Sequence, residues 1–385
     1  MLKMVRRFNQ EHPDYRVLMQ RMDWGTYYNK LFVAGLGNRA PEVFIVHAGN
    51  LERFMQADFI RTIDDLVNSE NGIPTSDFSE NIWEAVEKNG AHYGVPLDVH
   101  ILGMYYNKKL FKEAGIVDEN GEAKPPTTRE EFLDATAKMT KDTDGDGNID
   151  QWGYVFTWFY TNMFTFMKQW DGAFFSPELG TCVMNRKENV EALRFGADLV
   201  YKYKVSPSPE NFDSWIGFRQ GKVGIAFEGI YMLEDLKKQK DLDWGAAPLP
   251  LLGKKNAAWA DSHVICLRKD LKGKKLEGAW EFAKYLSDNS LVWSAGGQVP
   301  VRHSLRNTEL FKKMHAQTEF AKQIPYIQYI PKVPYTFEFT SELHVAAERA
   351  LKGSISPEKA LDEATENVNK TIRRHKEMKQ KNRKK

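Results

Sequence analysis

Cysteine is scarce in this chain. Cys182 and Cys266 are the only two in 385 residues. They form no CxxC pair and show no metal-ligand spacing, so the sequence offers no basis for a disulfide scaffold or a local zinc motif, and it leaves the compartment open. No run of about eighteen apolar residues is present, which excludes a transmembrane helix by hydropathy, and no signal peptide is visible. An excess of one charge is missing too: 54 Lys and Arg stand against 52 Asp and Glu, a net charge of +2, which is too near neutral for a nucleic-acid protein. The one basic concentration runs from Arg373 to the end. It reads as a solvated helix end with a frayed tail; a weak contact with an anionic membrane surface is the alternative. There is no internal repeat or low-complexity segment. Nor is there a nucleophile elbow, a P-loop, a zinc motif or a dinucleotide fingerprint, so the best-marked enzyme classes are absent.

What the chain does have is length and rings. The length suggests two domains, or two lobes sharing one chain. Hydrophobic residues make up 42%, enough for sizeable cores, and 12% are aromatic with ten Trp. An indole N–H needs a partner when buried, so the surplus of Trp and Tyr points to ligand-facing rings as well as core filling.

Periodicity gives an alternation of strands and helices. Leu2, Val5 and Phe8 recur at helical spacing up to His12-Pro13. A short strand is predicted over Tyr15–Gln20 and a helix over Trp24–Leu36. Pro41–His47 reads as a buried strand that ends in the polar turn Ala48-Gly49-Asn50. Ile101–Asn107 is another apolar stretch. Thr128 is a candidate N-cap with Glu131 as its capping-box partner. An aromatic cluster spans Trp152–Phe166, a strand over Lys222–Phe227 breaks at Glu228-Gly229, and Ser262–Leu267 forms a further strand. Strand–loop–helix order of this kind makes an α/β protein with helices on the sheet faces.

The segment Gly94–Gly115 resembles extracellular solute-binding proteins of family 1, the maltose-binding-protein-like, sugar-binding branch of ABC transporter receptors. So do Phe8–Asp14, Pro41–Asn50, Pro125–Phe132, Asp144–Gly153, Gly221–Gly229 and Ala279–Leu286. Each is weak alone; their collinear order spans nearly the whole chain. The resemblance implies a two-lobed periplasmic-binding-protein fold of type II, with the ligand cleft between the lobes. It implies crossings near Val99–Met104, Ala257–Ser262 and Val299–His303. The first lobe would comprise 1–99 plus 261–300, and the second 104–257 plus 303–385. It further implies a monomeric receptor, not an enzyme, that binds a sugar by hinge closure and docks on ABC transporter permease subunits. The location implied is periplasmic or extracellular, with a lipoprotein anchor as one form. Members usually begin with a signal peptide and a first strand carrying a ligand loop; neither precedes Leu2 here, so the first lobe is predicted to lack one strand.

A sugar presents hydroxyls around a ring and apolar C–H faces. Binding one calls for Asp, Asn and His at strand-to-helix turns and for flat rings to stack on. His47 and Asn50 directly follow a strand; their other reading is a polar turn capping the next helix. Asp98 and His100 alternate on an extended segment and so point the same way; the resemblance places them as polar sugar contacts, with a hinge salt bridge as the alternative. Trp158 and Tyr160 lie in the aromatic run, where the resemblance expects a stacking ring and where core packing also accounts for Phe156, Phe164 and Phe166. Tyr231 follows the strand break with Glu228 just before it. Trp259, Asp261 and His263 flank the second crossing.

The loop Asp142-Thr-Asp-Gly-Asp-Gly-Asn-Ile-Asp150 resembles a calcium loop. Asp142, Asp144, Asp146 and Asp150 occupy positions one, three, five and nine, with Gly147 at six. Position twelve is Gly153 instead of a bidentate Glu. The loop therefore reads either as a structural calcium site or as an Asp/Gly turn whose side chains cap their own backbone. No cofactor is otherwise required. Two rivals to the sugar receptor remain at this stage. One is a glycoside hydrolase using Asp98 and Glu228. The other is a sensor ectodomain or a receptor for a non-sugar solute.

Overall fold

All ten residues of the strand Asp98–Asn107 are buried. Its sequence explains this: an apolar run, Ile101–Tyr106, is bounded by polar groups that find partners at either end. In the computed structural model, which describes residues 1–210 and 212–383, the chain divides into two units. The first comprises Met1–His100, Asp261–Thr318 and Lys332–Pro334; the second comprises Ile101–Ala260, Glu319–Pro331 and the chain from Tyr335. The boundary thus falls inside the strand, between His100 and Ile101.

The first unit has a three-stranded antiparallel sheet in the order Val43–His47, His263–Leu267, Val95–Pro96. Its register pairs Val43 with Leu267 and His47 with His263. Val43–His47 is an edge strand, and its backbone groups are taken up by side chains of the helix Trp24–Leu36. The Tyr27 hydroxyl donates to the Ile45 carbonyl at 2.6 Å and accepts from the Ile45 N–H at 3.3 Å. The Tyr28 hydroxyl accepts from the His47 N–H at 3.1 Å. An exposed edge is a template for unwanted pairing, and two phenols cover this one.

Helix Leu2–Glu11 buries Met4, Val5 and Phe8, while Leu2 stays exposed. Phe8 packs edge-on against Phe282 and Tyr285 of the helix Gly273–Asp288. The stretch Tyr15–Gln20, predicted as a strand, is irregular. Asn9 holds it like a partner strand would: its side chain accepts from the Val17 N–H at 2.7 Å and donates to the Val17 carbonyl at 3.0 Å. The third crossing is also displaced from its predicted place. Val299 and Pro300 pair with Val99 and Asp98, and the chain then remains in the first unit to Thr318. Arg302 and Ser304 explain this, since both bind the Asp77 carboxylate.

In the second unit Ile101–Asn107 pairs antiparallel with Val223–Gly229 and with Trp244–Ala247, and Trp152–Phe156 adds parallel to Val223–Gly229. Phe132, Tyr154, Phe156, Phe166 and Phe227 form an aromatic core over this sheet. Phe156, Phe164 and Phe166 are thus core residues. Thr128 caps the helix Arg129–Met139, its hydroxyl accepting from the Glu131 N–H. The Glu131 carboxylate reaches back to Thr127, through both N–H and hydroxyl at 2.8 Å, and to the N–H of the cap residue Thr128. The last helix, Pro357–Arg383, carries the basic run helically to Arg383; the predicted fraying at Lys384 and Lys385 lies outside the described residues. Cys182 and Cys266 are buried and unbonded. Burial pushes the Cys182 thiol up to about 11.

Candidate functional site

In the first unit Asp98, His100, His263 and His47 converge. The register that pairs His47 with His263 puts their rings 4.5 Å apart, centroid to centroid. His100 lies 5.1 Å from His47 and 4.9 Å from His263. Asp98 ties the group together. One carboxylate oxygen accepts from the His263 N–H at 3.0 Å and lies 3.4 Å from Nδ1 of His100. The other lies 2.7 Å from Nδ1 of His263 and accepts from Nε1 of Trp293 at 2.5 Å.

A fully buried carboxylate would ordinarily resist ionisation. Burial does push Asp98 upward, but the charge of His263 and the bonds from His100 and His263 outweigh it and hold Asp98 well below the usual carboxylate range. His263 shows the converse: burial lowers it, and the Asp98 charge and hydrogen bond raise it above its ordinary value. His47 is driven well below its ordinary value by burial, then by His263 and His100, so it is a neutral imidazole. Its Nδ1 bonds the Tyr28 hydroxyl, which also takes a bond from Asn50. Asp261 sits beside this set, accepting from the Gly49 and Ser262 N–H groups at 3.0 and 2.8 Å, and burial raises its pKa. The first unit therefore brings His47, Asn50, Asp98, His100, Asp261 and His263 into one neighbourhood.

In the second unit the buried strand Val223–Gly229 ends in Glu228 and runs into the short turn Ile230–Met232. The Glu228 carboxyl accepts from the Gly229 N–H at 2.7 Å and shares hydrogen bonds with Thr157 and Tyr231. Tyr231 folds back over its own strand. A Cβ at Gly229 would lie 2.1 Å from the Tyr231 ring, so only glycine permits this approach. Gly229→Ala should therefore displace Tyr231 and shift its fluorescence or its NMR ring signals, with a stability loss of about 1–3 kcal/mol from the forced contact. Tyr160 lies near Tyr231, and its ring meets Trp259 edge-on at 6.0 Å. Trp158 stands apart: it is 49% exposed, and its carbonyl caps the following helix by accepting from Asn162.

The acidic loop is only partly assembled as an ion site. Carboxylate oxygens of Asp142, Asp144 and Asp146 lie within 4.8 Å of one another. Asp142 accepts from the Gly145 and Gly147 N–H groups, and both glycines have positive φ, as a tight Asx-type turn requires. Asp150 turns to Thr143 instead, binding its N–H at 2.9 Å and its hydroxyl at 2.6 Å. Position twelve cannot hold a glutamate: a Cβ on Gly153 would lie 2.0 Å from the Thr136 carbonyl oxygen. Gly153→Ala is expected to cost about 1–3 kcal/mol in urea unfolding, because that oxygen belongs to a helix backbone that cannot yield easily.

Tyr28 and Trp293 escaped sequence reasoning. Nothing in their local sequence marks them; they act through register and a distant helix.

The profile of the bacterial extracellular solute-binding proteins matches residues 3–319, and the chain belongs to that family. An arabinooligosaccharide-binding protein of Halalkalibacterium halodurans is 26% identical over 208 residues, 52% of this chain and 42% of that protein, so the match spans less than half of that relative. Two solved structures share the fold. The sugar-binding protein MalE from Xanthomonas citri superposes with a TM-score of 0.86 at 20% identity, over 98% of this chain and 95% of that one. An ABC substrate-binding protein of Listeria monocytogenes in complex with cycloalternan superposes with a TM-score of 0.83 at 22% identity, over 97% and 95%. The fold is accordingly the two-lobed one of the MalE-like binding proteins. Among the described residues no helix is long and apolar enough to cross a membrane.

Proposed function

We propose that this protein is the solute-capturing component of an ABC importer and that its solute is a neutral sugar or oligosaccharide. The observation that carries the reading is chemical. At strand ends one unit gathers the histidine–carboxylate set around Asp98, and the other gathers Glu228 with the rings of Tyr231, Tyr160 and Trp259. The first set offers donors and acceptors to hydroxyls, and the second offers an acceptor and ring faces to C–H surfaces. The relatives' solutes, an arabinooligosaccharide and cycloalternan, are of the class that such groups suit.

In this reading residues of both sets contact the sugar, binding is by hinge closure, and the loaded monomer docks on membrane permease subunits. Ligand binds the closed state more tightly and so shifts the population toward it. The protein works outside the cytoplasmic membrane, with a lipid anchor as one mode of retention. It releases the sugar uncut and does not depend on calcium, so affinity should be the same with and without added calcium. Titration calorimetry with arabino- and malto-oligosaccharides tests this. Tyr231→Ala should weaken binding roughly tenfold, about 1 kcal/mol or slightly more for one lost stacking contact. Unchanged affinity would remove Tyr231 from the contact set, and a shortened sugar recovered by chromatography would turn the reading to a hydrolase.

A further inference from the structure

We propose that His47, His100 and His263 form a binding site for a divalent transition metal, with zinc the ion that fits best. The three residues are far apart in sequence, and the fold alone assembles them. Cross-strand register faces His47 with His263. His100 joins from the strand Asp98–Asn107. One ring nitrogen from each lies within 4.8 Å of the other two. A tetrahedral zinc with Zn–N bonds of about 2.0–2.1 Å draws its nitrogens to about 3.3 Å from one another. Closing onto the ion then asks each ring nitrogen to move inwards by less than about 1 Å, which side-chain rotation supplies.

The surroundings match what metal-ligating histidines use. Such a residue holds its second ring nitrogen on a carboxylate or another fixed group, which sets the tautomer and aims the ring. Here Nδ1 of His263 and of His100 both face the carboxylate of Asp98, and Nδ1 of His47 faces the Tyr28 hydroxyl. In the loaded state one ring nitrogen of each histidine ligates the ion, and the other stays with its outer partner. Asp98 adds one negative charge beside the cation. An all-imidazole set suits zinc and its neighbours and excludes calcium and magnesium, which want oxygen. Three protein ligands leave a fourth position for water or an oxygen of the solute. His47 and His263 are half-buried while His100 is buried, so an ion can enter from one side.

The inference stands whether or not the solute is a sugar, and one experiment separates the two. Tag-free protein is stripped with EDTA, dialysed and titrated with Zn²⁺ by calorimetry; Co²⁺ is added in parallel to read the intense visible bands of a tetrahedral site. One Zn²⁺ per chain is expected. His263→Ala should lose at least about 100-fold in affinity, His47→Gln should lose it likewise, and Asp98→Asn should lose about 10–100-fold as the shared outer partner. Each variant is first checked for a cooperative thermal melt. Wild-type protein that melts cooperatively yet takes up no more zinc than a variant lacking all three histidines overturns the proposal, as does uptake that these substitutions leave unchanged. The stripped sample is also titrated with oligosaccharide. Sugar binding without zinc uptake removes the metal site alone, and zinc uptake without sugar binding removes the sugar reading alone.

Discussion

Asp98→Ala should lower the free energy of unfolding by about 3–5 kcal/mol, the loss expected when one partner of a buried ionic group is deleted. Asp98 is fully buried, and its two oxygens meet the ring and backbone of His263, the ring of His100 and the indole of Trp293. Removing the carboxylate leaves a histidine whose proton it holds and an indole N–H without an acceptor. Restoring water to so enclosed a site does not replace four partners at once. Trp293→Phe deletes one donor only and should cost about 1 kcal/mol from the lost hydrogen bond. Urea unfolding at pH 7 measures both. A loss below about 1 kcal/mol for Asp98→Ala would mean that the set is not held by its carboxylate.

Glu228 gives the second large effect, and it depends on pH. Burial raises its carboxyl from the ordinary value to about 7, against the opposing bonds from Gly229, Thr157 and Tyr231. The folded state therefore holds this proton where the unfolded state has already released it. Stability from this group is fully present below the unfolded value, near pH 4.5, and is lost as the pH rises through about 7. The span corresponds to about 3 kcal/mol. Glu228→Gln keeps the shape and removes the titration. It should match the wild type at pH 4 and exceed its stability by about 3 kcal/mol at pH 8. Because every other group titrates in both proteins, their difference isolates Glu228. A difference that is the same at both pH values would show that Glu228 is not protonated in the folded protein near neutrality.

These two residues also show how far the sequence was legible. Glu228 announces itself, because a carboxylate at the end of an apolar strand followed by glycine marks a strand-to-turn junction. Asp98 and His100 announce a shared direction by their alternation, and both lie on one buried strand. What could not be read is anything set by register between distant segments. His47 faces His263 only because Val43 pairs with Leu267. Trp293 reaches Asp98 from a separate helix, and Tyr28 reaches His47 through the packing of a helix on a sheet edge. A metal-ligand spacing was absent from the sequence for the same reason: three histidines on three segments leave no local motif. Tyr15–Gln20 failed as a strand because a single side chain, Asn9, took over the pairing that another strand would have made. The resemblance implied that 303–318 belongs with the second lobe, whereas the chain stays in the first unit to Thr318, where the tertiary Arg302–Asp77 contact holds it. Trp158, where the resemblance implied a stacking ring, has a half-exposed ring, and its carbonyl accepts from Asn162 at a helix start. In the acidic loop the spacing of the aspartates was legible, whereas the packing that forbids a side chain at position 153 was not.

The most direct test is a calorimetric titration of wild-type protein, His263→Ala and Tyr231→Ala with the same uncharged oligosaccharide, chosen from a thermal-shift screen. A role for both residues in sugar binding predicts a weaker affinity in each variant than in the wild type, with the sugar recovered whole. Wild-type affinity in either variant that still folds cooperatively would contradict it.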